Sequence, residues 1–461
     1  MPQAKDLQPA GPVMSWTLAG LALSILLPSL GTSIANIGLP TLMAAFGASF
    51  QAVQWVVLAY LLAITTLIVS VGRLGDLLGR RKLLLAGIAV FTVASALCGL
   101  APALPLLIAA RAVQGLGAAT MMALAMACVG EALPRERTGS AMGVLGSMSA
   151  IGTALGPALG GALIAAAGWP AIFLINLPLG ALAFVLVYRH LPASAASRRQ
   201  EGTGFDVPGT LLLAVTLAAY ALALTIGRGH FGYLSLALLA GATLGVALFL
   251  QVEAQAPFPL IRPGIFRDLP LSAGLAGSAL VSTVLMATLV VGPFHLSRAL
   301  GLNAAAVGLV ISLGPLVAAL TAAPAGRLVD RLGARPMSLL GLAGIGGACV
   351  LLAVLPTQLG VPAYLGPIMV LTASYALFQT ANNTGVMAAS APAQRGLVSG
   401  MLNLSRNLGL ITGTSALGAV FSAGGLHITF AVAAALIGLA LALALLVRGP
   451  AGHAAPRGEA R

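Results

Sequence analysis

Gly72-Arg-Leu-Gly-Asp76-Leu-Leu-Gly79-Arg80-Arg81 recurs as Gly326-Arg-Leu-Val-Asp330-Arg331-Leu-Gly333-Ala-Arg335. The offset, 326 − 72, is 254 residues. Gly139, Gly143, Gly152, Gly156 and Gly161 likewise fall on Gly396, Gly400, Gly409, Gly413 and Gly418, each 257 residues later. Two separate matches at nearly one offset mark an internal duplication. In a membrane chain such a duplication makes two helical bundles with a substrate path between them.

The surrounding composition is that of a membrane chain. Of 461 residues 59% are apolar and 7% charged, with a mean hydropathy of +1.03. A soluble protein of this length needs far more polar surface. At about 20 apolar residues per crossing, fourteen segments qualify. In the first half they are 14–37, 52–71, 83–100, 104–129, 139–164, 170–188 and 207–226. In the second they are 233–251, 271–293, 305–325, 337–355, 363–387, 397–421 and 427–447. With the N-terminus inside, 19 of the 23 Lys and Arg residues fall in inside loops and tails. Arg228 and Arg298 fall outside, and Arg111 and Arg406 fall within spans. The positive-inside rule therefore predicts an even number of spans and both termini in the cytoplasm.

The repeat offset carries the first basic loop past eight spans, whereas a six-span repeat alone would carry it past six. Two helices inserted between two six-helix halves account for the difference. The expected layout is a six-helix bundle over 1–190, a linker with two additional helices over 191–269, a second six-helix bundle over 270–450, and a cytoplasmic tail over 451–461. The fold class is thus an all-α polytopic membrane protein, and a monomer is expected.

Several functions are excluded on the same grounds. The net charge of +13 is scattered among short loops, which suits topology and contact with membrane lipids, not nucleic acid. Cys98, Cys128 and Cys349 lie in apolar segments without metal-ligand spacing, so neither a disulfide nor a metal site is expected. The N-terminal tail lacks the basic start and cleavage site of a signal peptide, so the first span is expected to be retained. No catalytic constellation, cofactor motif or ATP-binding motif is present, so the chain reads as no enzyme and its energy comes from a gradient. Abundant alanine and 21 Arg against 2 Lys point to a GC-rich bacterial genome.

Taken together, the motifs resemble the major facilitator superfamily and, within it, the fourteen-span drug:proton antiporter family. The duplicated stretch at Gly72 and Gly326 resembles the superfamily's loop motif. Arg111-Ala-Val-Gln114-Gly115-Leu-Gly117 resembles its span-four motif, and Gly152-Thr-Ala-Leu-Gly156-Pro157-Ala-Leu-Gly160-Gly161 its antiporter motif. The segments around Asn36, Tyr60 and Asn176 resemble signatures of the fourteen-span branch. The resemblance implies a proton-coupled exporter of drugs or antibiotics in the bacterial inner membrane, working by alternating access on a small-molecule substrate. A transporter for one metabolite shares the same fold, and a non-transporting membrane sensor is the rival from another class.

Read physically, the loop motif offers a gate. Gly72 is expected to permit a tight turn, and Asp76 to lie near the start of the next helix and pair with a nearby arginine. Together with Gly79, Arg80, Arg81, Gly326, Asp330, Arg331 and Gly333 it could latch the halves in one state or simply be a solvated loop. Gly152, Gly156 and Gly160 form a smooth helical stripe bent at Pro157, either for sliding between bundles or for plain close packing.

Arg111, with Gln114 on its face, reads as proton coupling by the resemblance, or as a structural arginine satisfied by carbonyls. Arg406 stands where the first repeat has Ser149. Tyr375, Gln379, Asn382, Asn383, Asn403 and Arg406 are candidates for a polar cavity wall, as are Asn36, Tyr60 and Asn176. Trp55 and Trp169 read as interfacial anchors.

The acids are informative by position. All ten fall in loops, tails or helix ends. The family commonly has an Asp in the first span, five residues before the Asn; here that place is Gly31. Asp76, Glu131 or the Arg111 network remain as proton carriers. With two positive charges and no negative ones within the spans, the expected substrate is a neutral or anionic amphiphile.

Overall fold

The computed structural model describes residues 11–132, 135–192, 206–226, 232–256, 264, 267–389 and 395–446. All regular structure among them is helical. The first half contains α1 (Gly11–Ala45), α2 (Phe50–Leu78), α3 (Arg80–Gly99), α4 (Leu104–Ala132), α5 (Arg135–Ala167), the short α6 (Ala171–Leu174) and α7 (Asn176–His190). A hairpin of α8 (Val207–Ile226) and α9 (Tyr233–Gln255) follows. The second half contains α10 (Leu269–Phe294), α11 (Ala304–Leu332), α12 (Ala334–Val354), α13 (Val361–Ala389), α14 (Arg395–Thr412) and α15 (Gly418–Leu446). Two π-helical segments, His295–Ala299 and Gly413–Leu417, extend α10 and join α14 to α15.

Twelve helical segments among the described residues are long and apolar enough to cross a membrane, and Ile151–Ala167 is a shorter apolar one. One of the twelve, Met401–Leu446, is 46 residues long. It is broken at Gly425, whose φ of 71° and ψ of −165° are not helical. Both expected termini lie outside the described residues, as do the tail over 451–461 and much of the loops flanking the hairpin.

Helices pack mainly within their own half. α1 lies on α5 and α7, while α4 lies between α2 and α3. In the second half α10 lies on α14 and α15, and α13 on α11 and α12. The halves meet where α5 touches α11, α1 touches α10 and α2 touches α14. α8 pairs with α9 and rests on α2. Asp206 caps α8, its Oδ1 accepting from the Gly209 N–H at 2.9 Å, and Ser70 of α2 shares a 2.9 Å hydrogen bond with Thr210.

The duplicated loop turns at the same place in both copies, and that place is not Gly72. Gly72 lies inside α2, which continues through Asp76 to Leu78. The reversal falls on Gly79 and Gly333, with φ of 89° and 90°. Each ends one helix by donating its N–H back four residues, to Gly75 O and Val329 O, at 2.9 Å, and starts the next. A positive φ suits glycine because a Cβ would clash there. Asp76 therefore sits in the last turn of α2 and not at the start of α3.

Candidate functional site

A cavity of about 370 Å³ lies between the halves, within the range of small-molecule sites. Its first-half wall carries the hydroxyls of Ser29, Thr32 and Ser33 on α1 and Ser149 and Thr153 on α5. The second-half wall is mainly apolar and aromatic, from Leu289 and Ile311 to Tyr364, Ile368 and Tyr375, and also carries Thr288, Thr372, Thr380, Gln379, Arg406 and Asn407. The lining follows α11 from Ile311 to the exposed Ala322, toward the face of the Gly79 and Gly333 turns.

The opposite face is sealed by contacts between the halves. Gln54 of α2 donates to the Thr414 carbonyl at 2.7 Å, and Gln51 to the Ser422 hydroxyl at 2.8 Å. Phe50 packs edge-on against Phe294, with ring centroids 4.6 Å apart, and against Phe421. Thr414 lies in the π-helical segment, where the wider ladder leaves carbonyls open to an outside donor. Arg298 reaches the Met43 sulfur at 3.2 Å. These residues escaped sequence reasoning; two glutamines three apart at the start of an apolar helix were the available signal.

The cavity wall is narrower than the sequence suggests. Tyr375, Gln379 and Arg406 line it. Asn382 instead donates to the Gly274 carbonyl at 3.1 Å, and Asn383 accepts from Gln379 at 3.5 Å. Asn403 is half-buried beside them in the chain but is not part of the lining. Asn36, Tyr60 and Asn176 are fully buried inside the first half. Asn36 donates to Thr32 O at 3.0 Å, while both side-chain polar atoms of Asn176 lack a partner among the described residues.

Arg111 is fully buried in the first half, away from the cavity lining. Its Nε donates to Val56 O at 2.9 Å, Nη1 to Gln114 Oε1 at 2.5 Å and Nη2 to Gly31 O at 3.3 Å. Gln114 passes the chain on to the Ser95 hydroxyl at 2.6 Å. The guanidinium lies 4.0 Å from the centre of the Tyr60 ring, and the Tyr60 hydroxyl donates to Pro28 O at 2.9 Å. This network ties α1, α2, α3 and α4 together, the carbonyl-satisfied arrangement.

The glycine stripe is mostly an internal joint. A Cβ on Gly152 would fall 2.7 Å from Leu26 O, and one on Gly160 2.8 Å from the Ile34 side chain; Gly156 meets Ser33. All three neighbours belong to α1. The duplicate repeats this, with Gly409 and Gly413 set against Ala279, Ser282 and Thr283 of α10. Among the described glycines matched between the two copies, only the last of each crosses to the other half. Gly161 meets Ala304 and Gly308 of α11, and Gly418 meets Gln54 of α2.

In the loop motif, Arg80 donates to Ala127 O at 3.4 Å and Arg81 to Tyr188 O at 2.5 Å, both within the first half. Asp330 and Arg331 are exposed. The side chains of Asp76 and Glu131 lie outside the described residues. Trp55 donates to the Thr225 hydroxyl at 3.1 Å, fastening α2 to the hairpin, and Trp169 packs on Phe46 and Phe173. All three cysteines are buried and free.

Two halves around a central cavity, sealed at one face, define a membrane transporter of small molecules. The chain belongs to the Major Facilitator Superfamily, whose profile it matches over residues 21–205 and 271–461. It is 31% identical over 410 residues to the multidrug resistance protein Stp of Mycobacterium tuberculosis, covering 88% of this chain and 76% of that one. It is 29% identical over 404 residues to the riboflavin transporter RibZ of Clostridioides difficile, covering 87% of each. Its fold matches that of a bacterial homologue of the human lysosomal transporter Spinster, with a TM-score of 0.69, 15% identity, and coverage of 95% and 97% of the two chains. The protein is a multi-pass transporter of a bacterial inner membrane, and not an enzyme.

Proposed function

We propose that this transporter exports small amphiphilic drugs or antibiotics by alternating access, energised by the proton-motive force. The observation that carries this reading is the cavity between the halves, largely apolar with hydroxyls on both walls, closed at the face of Gln51 and Gln54. The multidrug relative Stp supports export. Inward proton flow is the coupling that the resemblance implies. The substrate is neutral or anionic, because the described lining contains Arg406 and no carboxylate.

The proposed topology is fourteen spans with both termini cytoplasmic, arranged as a bundle, a two-helix linker and a second bundle. The described parts of the expected apolar segments are largely helical, which supports this reading. Fourteen follow if the break at Gly425 separates two crossings within the 46-residue segment and the shorter apolar helix in α5 is counted with the twelve. The family profile passes over the stretch of α8 and α9, which supports reading that hairpin as an insertion. The loop motif is the gate latch, working when the Gly79 face closes.

A resistance screen of the expressed chain against diverse antibiotics, with and without a protonophore, tests the export reading. Reduced accumulation of at least one amphiphile that the protonophore reverses is the expected result; unchanged susceptibility throughout would refute it. A transporter dedicated to one metabolite is the second reading, favoured by the relative RibZ. It predicts saturable movement of a single compound and no broad resistance.

A further inference from the structure

We infer that the cavity carries singly charged organic anions, held at Arg406, and that the membrane potential acting on that one charge drives their export without an exchanged proton. The inference rests on the export reading above, deepens its substrate, and puts the potential component of the proton-motive force in the place of proton exchange.

The two repeats differ at the cation. In the first half Ser29 and Ser149 share a hydroxyl hydrogen bond of 2.9 Å across α1 and α5. Gly152 packs beside Ser29, and its duplicate Gly409 packs beside Ser282, so Ser282 is the counterpart of Ser29. Ser149 corresponds to Arg406. The second half therefore carries an arginine where the first has one hydroxyl of the pair. The Ser282 Oγ, without the hydroxyl partner that Ser29 has, is buried and lacks a hydrogen-bond partner among the described residues.

Arg406 has no hydrogen bond or ion pair with any described residue, yet it lines a largely apolar cavity. An arginine within a membrane span normally has a partner. The neighbouring hydroxyls are no substitute for one. Thr32, Thr153 and Thr372 donate to carbonyls of their own helices, at 3.0, 3.0 and 2.9 Å, and so turn acceptor lone pairs to the cavity. Arg406 supplies the one formal positive charge in the described lining for an anionic head, whose apolar body fits against Leu289, Ile311 and Ile368. One formal charge in the described lining selects one negative charge in the ligand.

The charge count then sets the energetics. The loaded cavity is neutral and changes sides without moving charge. The empty carrier returns with the Arg406 cation, which a cytoplasm-negative potential draws inward. Each cycle moves one negative charge out, and no described carboxylate in the cavity is required.

The test uses the full chain in proteoliposomes at equal pH on both sides, with anilinonaphthalene sulfonate as probe. A sulfonate stays ionised, so no proton can accompany it on the probe itself. A potassium potential set with valinomycin at a tenfold gradient, about 59 mV, should distribute the probe about tenfold toward the positive side while luminal pH stays constant. Arg406→Gln should lower the initial rate at least tenfold, and Arg406→Lys should restore a third or more of it. Probe movement that follows a pH gradient and ignores the potential would overturn the inference, as would an Arg406→Gln rate equal to wild type in protein that elutes as a single folded species. If the resistance screen finds exported compounds but the sulfonate does not move, this inference fails and the export reading stands. If neither is observed, both fail.

Discussion

Gln54 of α2 holds the backbone of the second half directly, donating to the Thr414 carbonyl at 2.7 Å. The bond joins residues 360 positions apart and closes the cavity at the face away from the duplicated turns. A π-helical carbonyl is a suitable acceptor because its ladder hydrogen bond is loosened. The seal can therefore open without unwinding either helix.

Loss of this bond should favour the conformation open at that face. A neutral hydrogen bond contributes about 0.5–1.5 kcal/mol net, so Gln54→Ala should shift the equilibrium by roughly two- to tenfold. The labelling rate of a single cysteine introduced at Ser422 should rise by the same factor. An unchanged rate would show that Phe50 and its aromatic partners make the seal alone.

The two classes of stripe glycine should separate cleanly in their effects. A Cβ on Gly161 would lie 2.5 Å from Ala304 O and 3.1 Å from the Gly308 Cα, across the halves. Gly161→Ala should cut transport at least tenfold with little change in thermal stability. Gly152→Ala presses on α1 within its own half and should cost about 1–3 kcal/mol, as overpacking does, read as a lower unfolding temperature in detergent. Equal stability losses in the two variants would count against the division.

Arg111 should prove to be a stability residue before anything else. Its three donor nitrogens reach α1, α2 and Gln114 of its own helix in a fork that lysine cannot reproduce. Arg111→Lys and Arg111→Ala should both lower the unfolding temperature, at about 1–3 kcal/mol for each buried polar partner left unsatisfied. Wild-type thermal stability in either variant, with transport alone abolished, would favour a proton-coupling role.

Gly31 offers a gain-of-function test. A Cβ there would stand 3.4 Å from the Tyr60 hydroxyl, and the Gly31 carbonyl already accepts from Arg111. Gly31→Asp would place a carboxylate beside that guanidinium. The wild type should show no protonophore-sensitive ethidium efflux, and the Asp variant should acquire it. Proton-coupled ethidium efflux by the wild type in a host lacking its own pumps, abolished by Arg111→Ala, would contradict the neutral or anionic substrate.

The helices and the two-fold plan could be read from the chain because hydropathy and the repeat offset are both linear signals. Ser149 against Arg406 was legible for the same reason, and Arg406 does line the cavity. Asn36, Tyr60 and Asn176 were misplaced because their spacing along a helix leaves open which side meets the cavity and which meets a neighbour. Gly72 and Gly79 are equally plausible turns in sequence, and only the continuation of α2 to Leu78 decides between them. The seal at Gln51, Gln54 and Phe50 depends on partners hundreds of residues away, which no local pattern announces.

The backbone contact at Gly161 and Gly308 also acts as a fulcrum set near one end of a long arm. From Gly161 back to Arg135, α5 extends roughly 39 Å at 1.5 Å per residue. A turn of about 15° at that contact, the size of a known subunit rotation, sweeps the far end through roughly 10 Å. The glycines move little while the Arg135 end travels furthest, so the widest opening and the greatest demand for a latch both fall beside the duplicated turns.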